Sequence, residues 1–284
     1  MKKIKIKTPA KINLTLEVLN KRQDGFHNIQ SIMQTISLYD ILTFELSESN
    51  FLSINLSGNS GEIPYNSNNL VYKAANVFFE RLKISNCKLS VFIEKHIPVS
   101  AGLAGGSTNA AGTLLALNKV FNNPFGDFEL NELCSKLGSD LNFCLKGGCA
   151  LCTSRGEIIE PLPAYIQKVS LIKPKNLGIS AKEAYTKFSL LENKVNPDNT
   201  HKLKNLLIKG EFNNSLLYNS LEKALLQDYP QLQKIKCNVK NSLMTGSGSA
   251  FFVLEDKIKN FSDENNYMIY ENLITTKSGI IFED

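Results

Sequence analysis

The sequence predicts an α+β protein in which antiparallel sheets are covered by helices. Three observations lead there. Short runs alternate apolar and polar residues with period two, as half-buried strands do. Between them, apolar residues recur three and four positions apart, as on one face of a helix. At 284 residues, with no internal repeat or low-complexity linker, the chain is also long for one compact core. Two domains, or one large two-layer domain, are expected.

The elements follow in order. Lys and Ile alternate over residues 2–7, and "INLTLEV" continues the pattern over 12–18. "ILTFEL" (41–46), "FLSINL" (51–56) and "LSVFIE" (89–94) read the same way. Leu70, Ala74, Val77, Phe78 and Leu82 mark a helix, preceded by Asn-rich residues suited to capping it. A second helix carries Ala110, Leu114, Leu117 and Phe121 on one face. "GGCALCTS" reads as a strand, and "ENKVNPDNT" (192–200) as a loop. "SAFFVLE" (249–255) and a weak strand, "SGIIFED", close the chain.

Composition narrows the class. A content of 43% hydrophobic and 21% charged residues is ordinary for a soluble protein and argues against disorder. The net charge of +5 suits an anionic small molecule and falls short of the clustered basic surface of a nucleic-acid binder. Lys2, Lys3, Lys5 and Lys7 are the one hint of an RNA- or nucleotide-binding module. Three of them share a strand face and read more simply as a solvated edge that discourages sheet pairing. The basic N-terminus lacks the continuous apolar stretch of a signal peptide, and no run approaches the roughly 18 apolar residues that span a bilayer. A cytoplasmic protein with no membrane or nucleic-acid partner is expected, as a monomer or homodimer. The six cysteines show no scaffold spacing and are expected reduced and buried. Cys149 and Cys152 form a C-x-x-C, but three apart on a strand they point to opposite faces.

Residues 100–112, "SAGLAGGSTNAAG", contain four glycines and one sizeable apolar side chain, Leu103. They lie between a strand and an amphipathic helix. Free N–H groups and the positive end of a helix dipole then point into a loop whose glycines let phosphate oxygens approach. The pattern is neither Walker A nor G-x-G-x-x-G. A tight turn before a closely packed helix would use the same residues. A second loop, "MTGSGSAFF" (244–252), adds the hydroxyls of Thr245, Ser247 and Ser249. Two such loops suggest one polyphosphate held from two sides. Lys11, Asn13, Thr15 and Glu17 share a strand face, where a lysine is ordinarily solvated. Asp140 follows Gly138 and Ser139 where a helix begins, a place where Asp is ordinarily an N-cap.

The order P-A-K-I-N-L, P-V-S-A-G-L-A-G-G-S-T-N-A-A, G-S-D and T-G-S-G-S-A resembles the galactokinase, homoserine kinase, mevalonate kinase and phosphomevalonate kinase (GHMP) superfamily. Within it, residues 21–40 and 219–236 resemble the branch acting on a CDP-linked methylerythritol; the alternative, another member of homoserine or mevalonate kinase type, would keep the chemistry and change the alcohol. The resemblance spans nearly the whole chain. It implies a two-domain GHMP-kinase fold: a ribosomal-protein-S5-like ATP-binding domain (1–155) and a C-terminal α/β substrate domain (156–284). It also implies ATP and Mg²⁺ as cofactors, and γ-phosphoryl transfer to the 2-hydroxyl of CDP-methylerythritol in the non-mevalonate isoprenoid route.

On that resemblance Asp140 matches the aspartate that accepts the hydroxyl proton, and Lys11 the cation beside it. ATP would lie over Pro98, Gly102, Leu103, Ala104, Gly105, Gly106, Ser107, Thr108 and Asn109, with Asn69 and Lys95 lining the nucleotide site. No metal ligands are named, because Mg²⁺ can be held mainly by phosphates and water. Asn13, Thr245, Gly246, Ser247 and Gly248 would steady the substrate. Phe26 and Tyr185 would stack on the two faces of the cytosine, with His27 at its edge. Phe26 departs from the tyrosine usual in the branch, and Ala181 from a common threonine.

Overall fold

A computed structural model describes residues 2–192, 194–259 and 261–283. Two long strands organise it. β1 (Lys2–Lys21) and β2 (His27–Glu48) pair antiparallel from Lys2↔Leu46 to Lys21↔His27. The runs 2–7 and 12–18 are therefore one strand. Its alternation lapses at Thr8–Pro9–Ala10, where all three are buried. Pro9 has no N–H to give the ladder and sits at a register shift, where a sheet tolerates it. β2 reaches well upstream of 41–46. Over residues 29–36 it is buried residue after residue, so period two is not visible there.

β3 (Ser53–Gly58), α1 (Leu70–Leu82) and β4 (Cys87–Glu94) follow. Next come α2 (Gly105–Val120), α3 (Asp127–Leu137), α4 (Leu141–Lys146), β5 (Cys149–Ser154) and β6 (Ile158–Leu162). β7 (Lys168–Pro174), α5 (Ala181–Ser189), α6 (Asn199–Ile208), β8 (Tyr218–Asn219), α7 (Ser220–Leu226) and α8 (Pro230–Asn238) lead to β9 (Leu243–Met244). β10 (Phe251–Val253), β11 (Tyr267–Ile274) and β12 (Ile281–Glu283) complete the order.

The larger sheet runs β12-β1-β2-β4-β3, with β5 also on β2, β6 on β5 and β8 on β1. Phe78, Phe79, Leu114 and Leu117 of α1 and α2 pack on its Ile6, Phe44 and Leu89. The smaller sheet runs β11-β7-β10-β9, and Ala184, Leu221, Leu225 and Ile235 pack on its Ile172 and Phe251. Ala10, Ile12 and Leu14 of β1 share a core with Val169, Leu171 and Phe252 of the smaller sheet. That shared core joins the halves of the chain, and β6 and β12, both after residue 155, belong to the larger sheet.

Three sequence expectations change. β1 is not an edge at its basic end, because β12 pairs with Lys5–Lys7 and Glu283 bonds both Lys5 (3.1 Å) and Lys7 (2.5 Å). The Lys/Ile alternation carries no sign of a strand that arrives from nearly 280 residues away. The 249–255 strand shortens to β10, and α6 begins inside the 192–200 loop. The cysteines are all free, and five of the six are buried as expected, but Cys237 at the end of α8 is exposed. Cys149 packs with Ala10 and Ile12, Cys152 with Met33 and Phe143, on opposite sides of β5. Burial pushes the Cys134 and Cys149 thiols up to about 12, so both stay protonated and inert. Among the described residues no helix is long and apolar enough to cross a membrane.

Candidate active site

The glycine loop occupies residues 98–104, and α2 starts earlier than its apolar stripe, at Gly105. Gly102 (φ +75°) and Ala104 (φ +58°) are left-handed, which turns the chain sharply into the helix. No side chain caps α2, so its first-turn N–H groups remain for a ligand. Gly106 is exposed and Ser107 half-buried. Pro98, Leu103, Thr108 and Asn109 are buried, and the Thr108 hydroxyl has no hydrogen-bond partner. Asn69 caps α1, accepting from Val71 N–H (2.9 Å) and donating to Pro64 O. Lys95 turns inward to Asp40.

The two glycine loops meet. A Cβ on Gly102 would lie 2.1 Å from the Thr245 carbonyl oxygen, so the backbones touch where only glycine fits. Ala250 N–H donates to Ala101 O (3.1 Å). The loops therefore form one continuous wall and not two jaws around a polyphosphate. Gly246, also left-handed at φ +54°, brings this wall within 3.2 Å of the Lys11 ammonium, measured from where its Cβ would be.

Lys11 is only 3% exposed, against the solvated face expected for it. Its Nζ donates to Asn13 Oδ1 at 2.7 Å and lies 3.6 Å from Asp140 Oδ2. Asn13 is fixed in turn. Its side-chain amide donates to Ser31 Oγ (2.8 Å), whose hydroxyl donates to Thr15 O, and its backbone N–H donates to Thr245 Oγ1 (3.1 Å). Asp140 precedes α4 but makes no side-chain cap bond, so the N-cap reading fails and the carboxylate is left to Lys11. The side chain of Asp140 is 32% exposed, whereas that of Lys11 is 4% exposed, so the pair presents its carboxylate to the opening.

That opening is a cavity of about 720 Å³. Gly102, Ala104, Gly246 and Ser247 line one part of it, Lys11, Asn13 and Asp140 another, and Phe26, His27, Arg155, Ala181 and Tyr185 the rest. Gly248 faces away, toward Met244 and Ile179. The tip between β1 and β2 presents Phe26, half exposed, beneath the Arg155 guanidinium at 5.1 Å. His27 stacks on Tyr185 with centroids 5.4 Å apart and planes 20° from parallel. Its Nε2 lies 3.3 Å from Ser189 Oγ. A base can take Tyr185 only on the ring face away from His27 unless the imidazole turns aside. Burial first, then Lys21 and Lys194, pulls the His27 pKa below its ordinary value, so the ring is neutral at pH 7, with one donor and one acceptor nitrogen.

Sequence reasoning missed Arg155, which lies in a hairpin between β5 and β6 with no motif around it. It also missed Asp40, whose only local signal is an acidic residue in an otherwise apolar strand, "SLYDIL".

This two-sheet fold, with a buried lysine paired to a partly exposed aspartate beside a glycine loop, is that of the GHMP small-molecule kinases. Residues 69–148 match the GHMP kinases N terminal domain. The chain belongs to the 4-diphosphocytidyl-2-C-methyl-D-erythritol kinase family. It is 39% identical over 265 residues to that kinase of Clostridium beijerinckii, covering 89% of this chain and 91% of that one. It is 36% identical to that of Prochlorococcus marinus, covering 93% and 90%. A crystal structure of 4-(cytidine 5'-diphospho)-2C-methyl-D-erythritol kinase superposes with a TM-score of 0.74 at 27% identity, over 96% of this chain and 99% of that one. A homoserine kinase from Cytophaga hutchinsonii, at 18% identity and a TM-score of 0.74, shares the fold.

Proposed function

We propose that this chain transfers the γ-phosphoryl group of ATP to the 2-hydroxyl of 4-diphosphocytidyl-2-C-methyl-D-erythritol, a step in the non-mevalonate route to isoprenoid precursors. The observation that carries this reading is the Lys11–Asp140 pair, 3.6 Å apart, in a cavity with the glycine loop at one part and a His–Tyr stack at another. Phosphoryl transfer has a loose transition state, so positioning and charge neutralisation supply most of the rate. Asp140 takes the hydroxyl proton as the oxygen attacks the γ-phosphorus and the bond to the β,γ-bridging oxygen breaks, releasing ADP. Lys11 stabilises charge developing on the attacking oxygen. Asn13 holds the ammonium in place. The first-turn N–H groups of α2 and the Ser107 hydroxyl receive the phosphates.

At the other end Phe26 and Tyr185 offer stacking surfaces, and neutral His27 can both donate to and accept from the cytosine edge. Mg²⁺ fits such a site in one way. Among the described residues no group of three metal-ligating His, Cys, Asp or Glu occurs, so the chain offers no cage of its own. Asp140 or Ser107 would supply a single ligand, and the phosphates and water the rest. When bound, the ion neutralises phosphate charge.

The test is an ATP-consumption assay with Mg²⁺ that compares CDP-methylerythritol with homoserine and mevalonate and checks product mass. One phosphoryl group added to the CDP-linked alcohol alone is expected. Transfer to homoserine or mevalonate instead would overturn the substrate assignment.

A further inference from the structure

The seven residues of the nucleotide loop, 98–104, are flanked on both sides by groups that converge on one buried carboxylate. Asp40, in the middle of β2, is fully buried. Its Oδ1 accepts from the backbone N–H groups of His96 and Ile97, each at 2.8 Å, immediately before the loop. Its Oδ2 accepts from Lys95 Nζ at 2.6 Å and from Asn109 Nδ2 at 2.9 Å, in the second turn of the helix that the loop enters. Asn109 Oδ1 in turn accepts from Thr8 Oγ1 at 2.7 Å, which anchors the assembly to β1. Lys95 also donates to Ile97 O, and a Cβ on Gly105 would lie 2.8 Å from the Lys95 ammonium. The first residue of α2 is thus packed against the ion pair.

We infer that Asp40 is a positioning residue for the nucleotide site, fixing both ends of the glycine loop so that the first turn of α2 faces the phosphates without further rearrangement. Lys95 and Asn109 then act on the nucleotide through Asp40 and not by direct contact, because the donors of both are directed into the interior. A buried carboxylate with four donors is a rigid junction: each bond is charge-assisted, and Asp40 itself is shut off from water. A loop held at both ends loses little freedom on binding, so the binding energy of ATP is kept for affinity. Surface placement of the same contacts would give far less.

This inference rests on the reading that loop 98–104 receives ATP. Two variants test it. Asp40→Asn keeps the shape but removes the charge, which strands the Lys95 ammonium; Asp40→Ala combined with Lys95→Met removes the junction and leaves no buried charge unpaired. Both are compared with the parent by hydrogen exchange of residues 98–104 without ligand, by equilibrium binding of MgADP, and by KM for each substrate. Faster exchange confined to the loop is expected, with ADP affinity and the KM for ATP each weakened at least about tenfold, about 1.4 kcal/mol. The KM for the alcohol should stay within about twofold. Should Asp40→Asn not fold, the double variant decides. A folded double variant that binds MgADP like the parent overturns the inference, as does equal weakening toward both substrates. A parent protein that binds no adenine nucleotide would instead overturn the functional reading, with the exchange result still reporting on the junction.

Discussion

The two ends of the cavity are built in opposite ways. At the end proposed for the nucleotide, backbone dominates: two glycine loops in direct contact, the first running into a helix start without a side-chain cap that is packed against a buried ion pair. At the other end, side chains do: a half-exposed Phe26, His27 stacked on Tyr185, and Arg155 over the Phe26 ring. Backbone N–H groups recognise a phosphate whatever the residue, so that end is fixed by sterics and tolerates little change. A base is recognised by ring faces and edges, so the far end can be altered residue by residue. The Lys11–Asp140 pair lies where the two meet.

The largest effect is expected at the Lys11–Asp140 pair, where the two ends meet. Asp140→Asn should lower turnover by about 10²–10⁴-fold while ATP binding is nearly unchanged. Single-turnover kinetics beside nucleotide titration would check this, and normal turnover would remove Asp140 as the base. Next comes the backbone wall. Gly102→Ala places a methyl group 2.1 Å from the Thr245 oxygen at φ +75°, and the loops must part. A stability loss of about 1–3 kcal/mol is expected, read as a fall in Tm, with turnover falling too because Gly246 sits beside Lys11.

At the side-chain end the effects should be confined to one substrate. Tyr185→Ala is expected to raise the KM for the CDP-linked alcohol by the worth of one stacked base, about 1–3 kcal/mol, and to spare the KM for ATP. Parallel rises in both constants would mean that the ends are not separable. His27 sharpens the contrast through pH. Its pKa is lowered in the folded protein, so the unfolded chain takes up the proton first. The His27 contribution to stability is therefore present above the ordinary histidine value and is lost as pH falls through the lowered one. Substrate affinity should follow the same direction, because protonation removes the acceptor nitrogen. Measured from about pH 8 to about pH 5, the alcohol's KM should rise on the acid side, and His27→Asn should flatten that rise. The smallest effect is expected for Phe26→Tyr, which should leave substrate affinity unchanged or tighten it by up to about 1 kcal/mol. A marked loss would place the ring in a dry pocket.

Some of this was legible in sequence order. The period-two runs became strands, the 70–82 stripe became α1, and the small residues at 100–112 became a loop running into a helix, because each depends on neighbours a few positions away. Lys11 and Asp140 were legible as residues through resemblance, yet their chemistry was not: strand position alone makes Lys11 a solvated lysine and Asp140 a helix cap. Tertiary structure decided otherwise. Burial of Lys11 needs β2 on one side and the Thr245 loop on the other, 232 residues from Asn13. The glycine wall needs Gly102 against Thr245. Asp40 shows the limit most plainly, since its partners lie 55 to 69 residues along the chain. The sequence by itself determined the strands and helices whose apolar period is regular, and the two glycine-rich loops, because backbone preference and apolar period are local. Only the fold decided which charges are buried together, because burial depends on what the rest of the chain brings to the same place.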